Sequence, residues 1–418
     1  MHHFQHRNGE LHAEDVPLRE IAARVGTPCY VYSLATLLRH YRVFDDAFAA
    51  VPHLVCFSVK ANSNLAVLRT FAREGSGFDI VSGGELFRAL RAGADPQKIV
   101  FSGVGKTREE ITAALRAGIL MFNVESPGEL DVINSVGREL GIRARVALRV
   151  NPDVDPQTHP YISTGLKKSK FGIHIQRSVE DYRRARGLSH IEVAGIDCHI
   201  GSQLTTVPPF VDALQRVRAL ADRLQAEDFT IRYVDMGGGL GIAYNDEQPP
   251  TPQEYAQALS EGLRGLDATL LLEPGRVIVG NAGILLTQVL YLKSTDEKNF
   301  VVVDGGMNDL IRPALYGSYQ AIQPVVPIDG ADFTADVVGP VCESGDFFAK
   351  DRRIPRVQPG DLLAVMSAGA YGFVMASNYN TRPRPPEVLV DGSNFHIVRE
   401  RETHEDLIHG ESIPAILQ

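Results

Sequence analysis

The sequence predicts a parallel (β/α)8 barrel over residues 30–280, followed by a C-terminal all-β domain over residues 281–418. Two observations predict it. Between about residue 30 and residue 280, short apolar runs alternate with helix-like stretches until eight strand candidates are counted, which is the pattern of a parallel α/β fold. After Pro274 the alternation stops, and strand-like runs follow one another with glycine and proline between them. An open doubly wound sheet is the structural alternative, but eight units in so short a span favour closure into a barrel.

Residues 1–29 have no place in the barrel and are expected to pack on the β domain, adding a strand and a helix to it. The barrel strands are expected at 54–60, 78–81, 98–102, 121–124, 143–150, 193–200, 231–236 and 269–273. Helical patterns fill the gaps, as at 64–74, 83–93, 107–117, 127–140, 208–226 and 253–265. In the β domain, runs at 284–292, 300–304, 334–338, 361–366, 387–390 and 395–399 read as strands. Residues 151–177 form one long barrel loop with His159-Pro160-Tyr161 and the basic Lys167-Lys168-Ser169-Lys170. Both a lid and a solvated insertion suit a loop of that length.

Composition narrows the function classes. Apolar residues make up 44% of the 418 and charged residues 22%, as in an ordinary globular protein. A net charge of −9 argues against a nucleic-acid partner. No apolar run reaches the roughly 18 residues of a membrane span, and the start, Met1-His2-His3-Phe4-Gln5-His6, lacks the charged-then-apolar pattern of a signal peptide. The four cysteines are spread out with no Cys-x-x-Cys pair, which fits a reduced, cytoplasmic compartment and suggests no metal site.

In a parallel barrel the active site lies at the carboxyl ends of the strands. Reading those ends alone gives a coherent set. The first strand closes the apolar run Leu54-Val55-Cys56-Phe57 and ends in Lys60. Burial lowers the pKa of a lysine, and a neutral amine can form a Schiff base with an aldehyde; a lysine merely snorkelling from a strand end is the plainer alternative. The second strand carries Asp79, the fifth Arg149, and the sixth ends in Cys198-His199-Ile200-Gly201-Ser202. The seventh ends in Gly237-Gly238-Gly239 and the eighth in Glu273-Pro274-Gly275-Arg276. Glycines let a backbone approach a phosphate closely, and barrels often bind phosphate after strands seven and eight. A dinucleotide fingerprint fits less well, because it belongs on the first strand–helix turn of an open sheet.

A lysine, a phosphate cradle and a carboxylate in one barrel mouth suggest pyridoxal 5′-phosphate. Lys60 would hold its aldehyde, Glu273 would keep the ring nitrogen protonated, and His199 would stack on the ring. Alone, His199 reads more readily as a satisfied core histidine, and Glu273 reads also as a carboxylate capping a tight turn.

At this point the chain resembles the fold-type III pyridoxal-phosphate-dependent decarboxylases of basic amino acids, and among them those that act on diaminopimelate. The resemblance covers nearly the whole chain. It is carried by Phe57-Ser58-Val59-Lys60-Ala61-Asn62, Cys198-His199-Ile200-Gly201-Ser202, Gly237-Gly238-Gly239, Glu273-Pro274-Gly275-Arg276, Cys342-Glu343-Ser344-Gly345-Asp346 and Gly369-Ala370-Tyr371-Gly372. It implies a barrel followed by a β domain, and a homodimer in which each active site draws on both subunits. It implies that Lys60 carries the cofactor, with His199, Ser202, Gly238, Gly239, Glu273, Gly275, Arg276 and Tyr371 around it and Asp79 and Arg149 in support. Arg276, Arg312, Tyr316 and Tyr371 are implied to meet the substrate. Cys342 is implied as proton donor and Glu343 as a substrate contact, both from the partner subunit.

The implied reaction is decarboxylation of meso-2,6-diaminopimelate to L-lysine and carbon dioxide, the last step of lysine biosynthesis. Arg276 and Arg312 suit the distal carboxylate, because a guanidinium binds carboxylates bidentately, and Glu343 suits the distal ammonium. Ornithine, arginine or carboxypolyamine decarboxylation is the nearest rival; those substrates lack the second amino-acid head that the Arg312–Tyr316 segment would read. A racemase fits less well, since that class places an arginine at the ring nitrogen where this chain offers Glu273. A non-catalytic cofactor-binding regulator would be expected to lack the lysine or the cysteine.

Overall fold

The computed structural model describes residues 2–155 and 170–418. The chain divides into two compact units, one of Leu37–Val279 and one of residues up to Thr36 together with Gly280–Gln418. The lid or insertion expected over 151–177 falls chiefly on residues outside the described ones.

In the first unit eight parallel strands close into a barrel. They are β1 (His53–Ser58), β2 (Gly77–Ile80), β3 (Ile99–Phe101), β4 (Met121–Val124), β5 (Ala144–Asn151), β6 (Ile191–Asp197), β7 (Tyr233–Asp235) and β8 (Thr269–Leu272). Each pairs with the next, and β8 returns to β1 with Leu271 opposite Leu54. A two-residue strand, Ile173–His174, pairs beside the end of β5. Strands buried on both faces need continuous apolar sequence; Val55, Cys56 and Phe57 of β1 are at most 1% exposed.

Several of the helices between strands start where the sequence supplies caps. Ser82, Thr107, Ser126 and Thr251 each accept from the backbone amide three residues on, and Thr107 and Thr251 form reciprocal capping boxes with Glu110 and Glu254. One further gap is filled by the helix Ser178–Arg186, a range not singled out in the sequence. Its inward stripe is only Ser178, Val179, Tyr182 and Ala185, and arginines and acids cover the rest, so it carries little apolar signal. Several strands stop one to three residues short of their expected ends. Lys60 therefore lies in a single turn, Val59–Ala61, and His199, Gly237 and Glu273 lie in the loops just beyond β6, β7 and β8.

The second unit is mostly sheet. An interior strand of its large sheet is Cys29–Ser33, which pairs antiparallel with Gly283–Ser294 on one side and parallel with Glu387–Asp391 on the other. Outward from these lie Asn299–Val303, Phe333–Val338 and Phe347–Ile354 on one flank and Asn394–Arg399 on the other. Leu362–Val365 pairs with both Gly283–Ser294 and Ile322–Pro324. A small hairpin sheet, Phe4–Arg7, Glu10–Ala13 and Val16–Pro17, precedes the helix Leu18–Val25. Leu11, Leu18, Ile21, Val31, Ile284, Leu286, Ala364 and Val388 share one core. Buried Glu14 ties the hairpin down, accepting from Ser33 Oγ at 2.7 Å, Ala35 N at 2.8 Å and Gly392 N at 2.7 Å. Among the described residues no helix is long and apolar enough to cross a membrane.

Candidate active site

The barrel unit gathers its candidate residues at the carboxyl ends of the strands. Lys60 makes an ion pair with Asp79 of β2, which is wholly buried while the lysine side chain keeps 34% of its exposure. Ser58 Oγ lies 2.8 Å from Asp79 Oδ2 and 2.9 Å from the Glu273 carbonyl oxygen, linking β1 to both its neighbours. Asp79 Oδ1 is buried with no hydrogen-bond partner among the described residues. Nearby, burial pushes the Glu85 carboxyl up to about 7 against the pull of the Lys60 charge.

Glu273 follows β8 and is 5% exposed. Its Oε1 is 3.2 Å from Ser102 Oγ and 3.3 Å from Asn123 Nδ2. Burial, then the charges of Asp235 and Asp79, push its carboxyl well above the usual range, while Lys60 and Arg149 oppose the shift. Asp235 is pushed up to about 7 by burial and by Asp197. Arg149 donates to Glu125 at 2.7 Å and lies 4.0 Å from Asp197, so one buried cation serves two buried acids. Gly172 N also donates to Glu125, at 2.8 Å.

The glycine turn after β7 is compelled by its neighbours. Gly237 and Gly239 have φ of +65° and +113°, which favour glycine. A Cβ on Gly238 would overlap the Glu273 carbonyl oxygen, and one on Gly239 would come within 2.6 Å of the Gly201 carbonyl oxygen. Asp235 Oδ1 accepts from Gly237 N at 2.9 Å, and His199 Nδ1 accepts from Gly238 N at 3.2 Å. Burial, Arg149 and Lys60 hold the His199 imidazole neutral, well below its ordinary pKa. Beside the turn, Arg276 is 4% exposed and donates to Ser202 Oγ at 3.0 Å and Tyr244 Oη at 2.6 Å. Gly275 opens the short helix Arg276–Val279, its carbonyl accepting from Ile278 N and Val279 N.

The remaining candidates lie in the β unit, in two groups. Arg312 is 6% exposed, and its guanidinium carbon stands 5.3 Å from the Tyr316 ring and 6.0 Å from that of Tyr371. Tyr371 has a φ of +55°, next to a Gly372 whose Cβ would overlap the Ala368 carbonyl oxygen. Cys342 and Glu343 sit on a separate turn. Asp346 pins that turn through Val341 N and Met307 N, both at 2.6 Å, and Asn380 Oδ1 accepts from Cys342 N at 2.8 Å. Glu343 hydrogen-bonds the Tyr379 side chain, which raises the Tyr379 phenol pKa. None of the four cysteines is disulfide-bonded, and of these only Cys342 is exposed.

Sequence reasoning assigned no role to Ser102, Asn123, Asp235 or Tyr244. Asp235 had a signal, two residues before the triple glycine. Asn123 had a fainter one, a lone amide in the apolar Met121-Phe122-Asn123-Val124. Tyr244 had none.

The barrel residues fit pyridoxal phosphate. A turn that admits no side chain, flanked by a buried arginine and a serine, suits a phosphate. A buried carboxyl suits a ring nitrogen, and a lysine beside a carboxylate oxygen lacking a partner suits an aldehyde-bearing ring. Fold and site together define a pyridoxal-dependent barrel enzyme. The pyridoxal-binding domain of the pyridoxal-dependent decarboxylases matches residues 34–280. A diaminopimelate decarboxylase of Pseudomonas aeruginosa is 59% identical over 410 residues, covering 98% of this chain and 99% of that one. The Helicobacter pylori diaminopimelate decarboxylase complexed with L-lysine superposes with a TM-score of 0.91 at 44% identity, covering 94% of this chain and 98% of that one. The enzyme of M. jannaschii, also in complex with L-lysine, gives 0.95 at 39% identity, covering 99% of each. The chain belongs to the diaminopimelate decarboxylase family.

Proposed function

We propose that the protein decarboxylates meso-2,6-diaminopimelate to L-lysine and carbon dioxide with pyridoxal phosphate. When bound, the cofactor supplies an electron-withdrawing ring that takes up the electron pair left as carbon dioxide departs. Lys60, beside Asp79, would hold the cofactor through its side-chain amine. Glu273 holds a proton at the ring nitrogen, supported by the carboxyls around it that favour a shared proton. Neutral His199 packs on the ring face. Gly238, Gly239, Gly275, Ser202, Arg276 and Tyr371 hold the phosphate, while Asp79 and Arg149 shape the surroundings of Lys60 and Glu273.

The observation that carries the choice of substrate is Arg312, a buried cation bracketed by Tyr316 and Tyr371. Ornithine and arginine have no distal carboxylate for such a group to read. Arg276, Arg312 and Tyr316 bind that carboxylate, Tyr371 contacts the substrate beside Arg312, and Glu343 takes the distal ammonium. Cys342 delivers the proton to Cα; its exposure on a pinned turn supports this role. Cys342 and Glu343 act on the partner's barrel in a homodimer, and the unpaired cysteines support a reducing, cytoplasmic setting.

The test is carbon dioxide release by purified protein with added pyridoxal phosphate. Release from meso-diaminopimelate, with little from L-ornithine, L-arginine or L-lysine, is expected. Equal release from ornithine would overturn the substrate, and release from none would overturn the enzyme.

A further inference from the structure

Asn123 is a buried amide in an otherwise apolar barrel strand. A buried amide needs partners. Its Nδ2 lies 3.0 Å from Asp235 Oδ2, 3.1 Å from Ser102 Oγ and 3.3 Å from Glu273 Oε1. Ser102 Oγ is itself 3.2 Å from Glu273 Oε1. The NH2 group has two hydrogens to offer, and two carboxyl groups face it. Turned the other way, the amide would present its carbonyl oxygen to both acids. Asn123 Oδ1 is buried with no hydrogen-bond partner among the described residues, so the side chain meets its neighbours through its donor end. Among the described residues, the hydrogen bonds that reach the Glu273 carboxyl both fall on Oε1 and none on Oε2.

We propose that Asn123 is a positioning residue which, with Ser102, clamps Glu273 by Oε1 and so turns Oε2 toward the ring nitrogen of bound pyridoxal phosphate. The inference rests on the reading of the barrel as a pyridoxal-phosphate site. The amide also separates Glu273 from Asp235. Without a donor between them, two like-charged neighbours compete for one proton, and Glu273 is drawn toward Asp235 instead of the ring. Strand β4 reaches the reaction in this way although none of its residues is among those proposed to meet the substrate.

The experiment loads wild type, Asn123→Asp, Asn123→Ala, Ser102→Ala, Glu273→Gln and the Asn123→Asp/Glu273→Gln double variant with ring-15N-labelled pyridoxal phosphate. It reads the ring-nitrogen chemical shift, the cofactor dissociation constant, and kcat and KM for meso-diaminopimelate. Asn123→Asp keeps the shape and replaces the donor by an acceptor. Both Asn123 variants are expected to move the ring nitrogen toward the unprotonated value and to weaken cofactor binding. They should lower kcat by about tenfold or more with KM nearly unchanged, the scale of one hydrogen bond to a charged group. Ser102→Ala should move the ring nitrogen the same way by less. In the Glu273→Gln background, Asn123→Asp should change kcat by less than about twofold, because coupled residues are not additive. A wild-type ring shift in both Asn123→Ala and Ser102→Ala overturns the clamp, as does an equal loss of kcat in both backgrounds. A Glu273→Gln protein with a wild-type ring shift overturns the assignment of Glu273 itself, and the clamp with it.

Discussion

The Gly238 amide donates to His199 Nδ1 across 3.2 Å. That bond assigns the ring proton to Nε2 and sets the plane of the imidazole from the backbone of the next barrel loop. It works because Gly238 has no side chain, since a Cβ there would overlap the Glu273 carbonyl oxygen. One small residue thus serves the histidine on one side and the strand end bearing Glu273 on the other.

Gly238→Ala should therefore disturb both. Relief of the overlap must move backbone, and such crowding commonly costs about 1–3 kcal/mol. Denaturant unfolding and fluorescence titration with pyridoxal phosphate are expected to show lower stability and weaker cofactor binding. Wild-type values for both would contradict the close approach.

Lys60→Ala should abolish covalent retention of pyridoxal phosphate after borohydride reduction, read by mass spectrometry of the peptide containing residue 60. Cofactor fixed at another lysine would show that the ion pair with Asp79 has a different purpose.

Arg312→Ala removes a buried guanidinium packed between two tyrosine rings. Loss of one partner of a desolvated ionic contact costs about 2–5 kcal/mol. The variant should lose kcat/KM for meso-diaminopimelate by a factor of about thirty or more, with pyridoxal phosphate affinity preserved. Retained kcat/KM would remove Arg312 from substrate recognition.

Mixing inactive Lys60→Ala and Cys342→Ala proteins under conditions that exchange subunits should restore activity. Random exchange makes half the dimers mixed, each with one intact site, so about a quarter of wild-type activity should return. If native mass spectrometry confirms exchange and activity stays at the level of the parents, Cys342 serves its own subunit.

Glu402 offers a test by pH. Burial raises its carboxyl, but hydrogen bonds from the Arg384 side chain and backbone and from Asn378 outweigh this and hold it at about 2. An acid depressed on folding stabilises above its unfolded pKa of about 4.3, and the contribution fades as pH falls toward the folded value. Glu402→Gln should melt lower than wild type at pH 7, with the gap narrowing as pH falls from about 4 toward 2. A gap that is constant with pH would mean the charge is immaterial.

The barrel was legible because strands buried on both faces spell themselves out as unbroken apolar runs, as in Val55-Cys56-Phe57 and Leu270-Leu271-Leu272. Elements with one wet face were harder to read. Phe347–Ile354 carries Lys350-Asp351-Arg352-Arg353 on the outermost strand of its sheet, and that charge hid it. Residues such as Lys60 and the triple glycine stood out because their types are costly at strand ends without a purpose. Asn123 did not, since the partners of its side-chain amide come from β7 and from the residues just past β3 and β8, and meet only once the ring of strands is closed. Tyr244 meets Arg276 from a loop with no regular pattern, and nothing in its neighbours in sequence points to the contact.

The strand Cys29–Ser33 has its two sheet partners at Gly283–Leu286 and Glu387–Val390. During synthesis this apolar strand leaves the ribosome early and waits, both edges bare, while the whole barrel is made, roughly tens of seconds at ordinary elongation rates. The barrel is thus an insertion within the β unit, and translation completes the inserted unit before its host. A gene fragment beginning at residue 280 would encode a sheet with this interior strand missing, leaving two open edges of the kind that pair between molecules. Moving residues 1–36 to the other end of the gene would instead bring the strand to its partners within one continuous stretch of chain. Soluble expression of that permuted β unit, set against aggregation of the simple fragment, would show that Cys29–Ser33 is what closes the two edges.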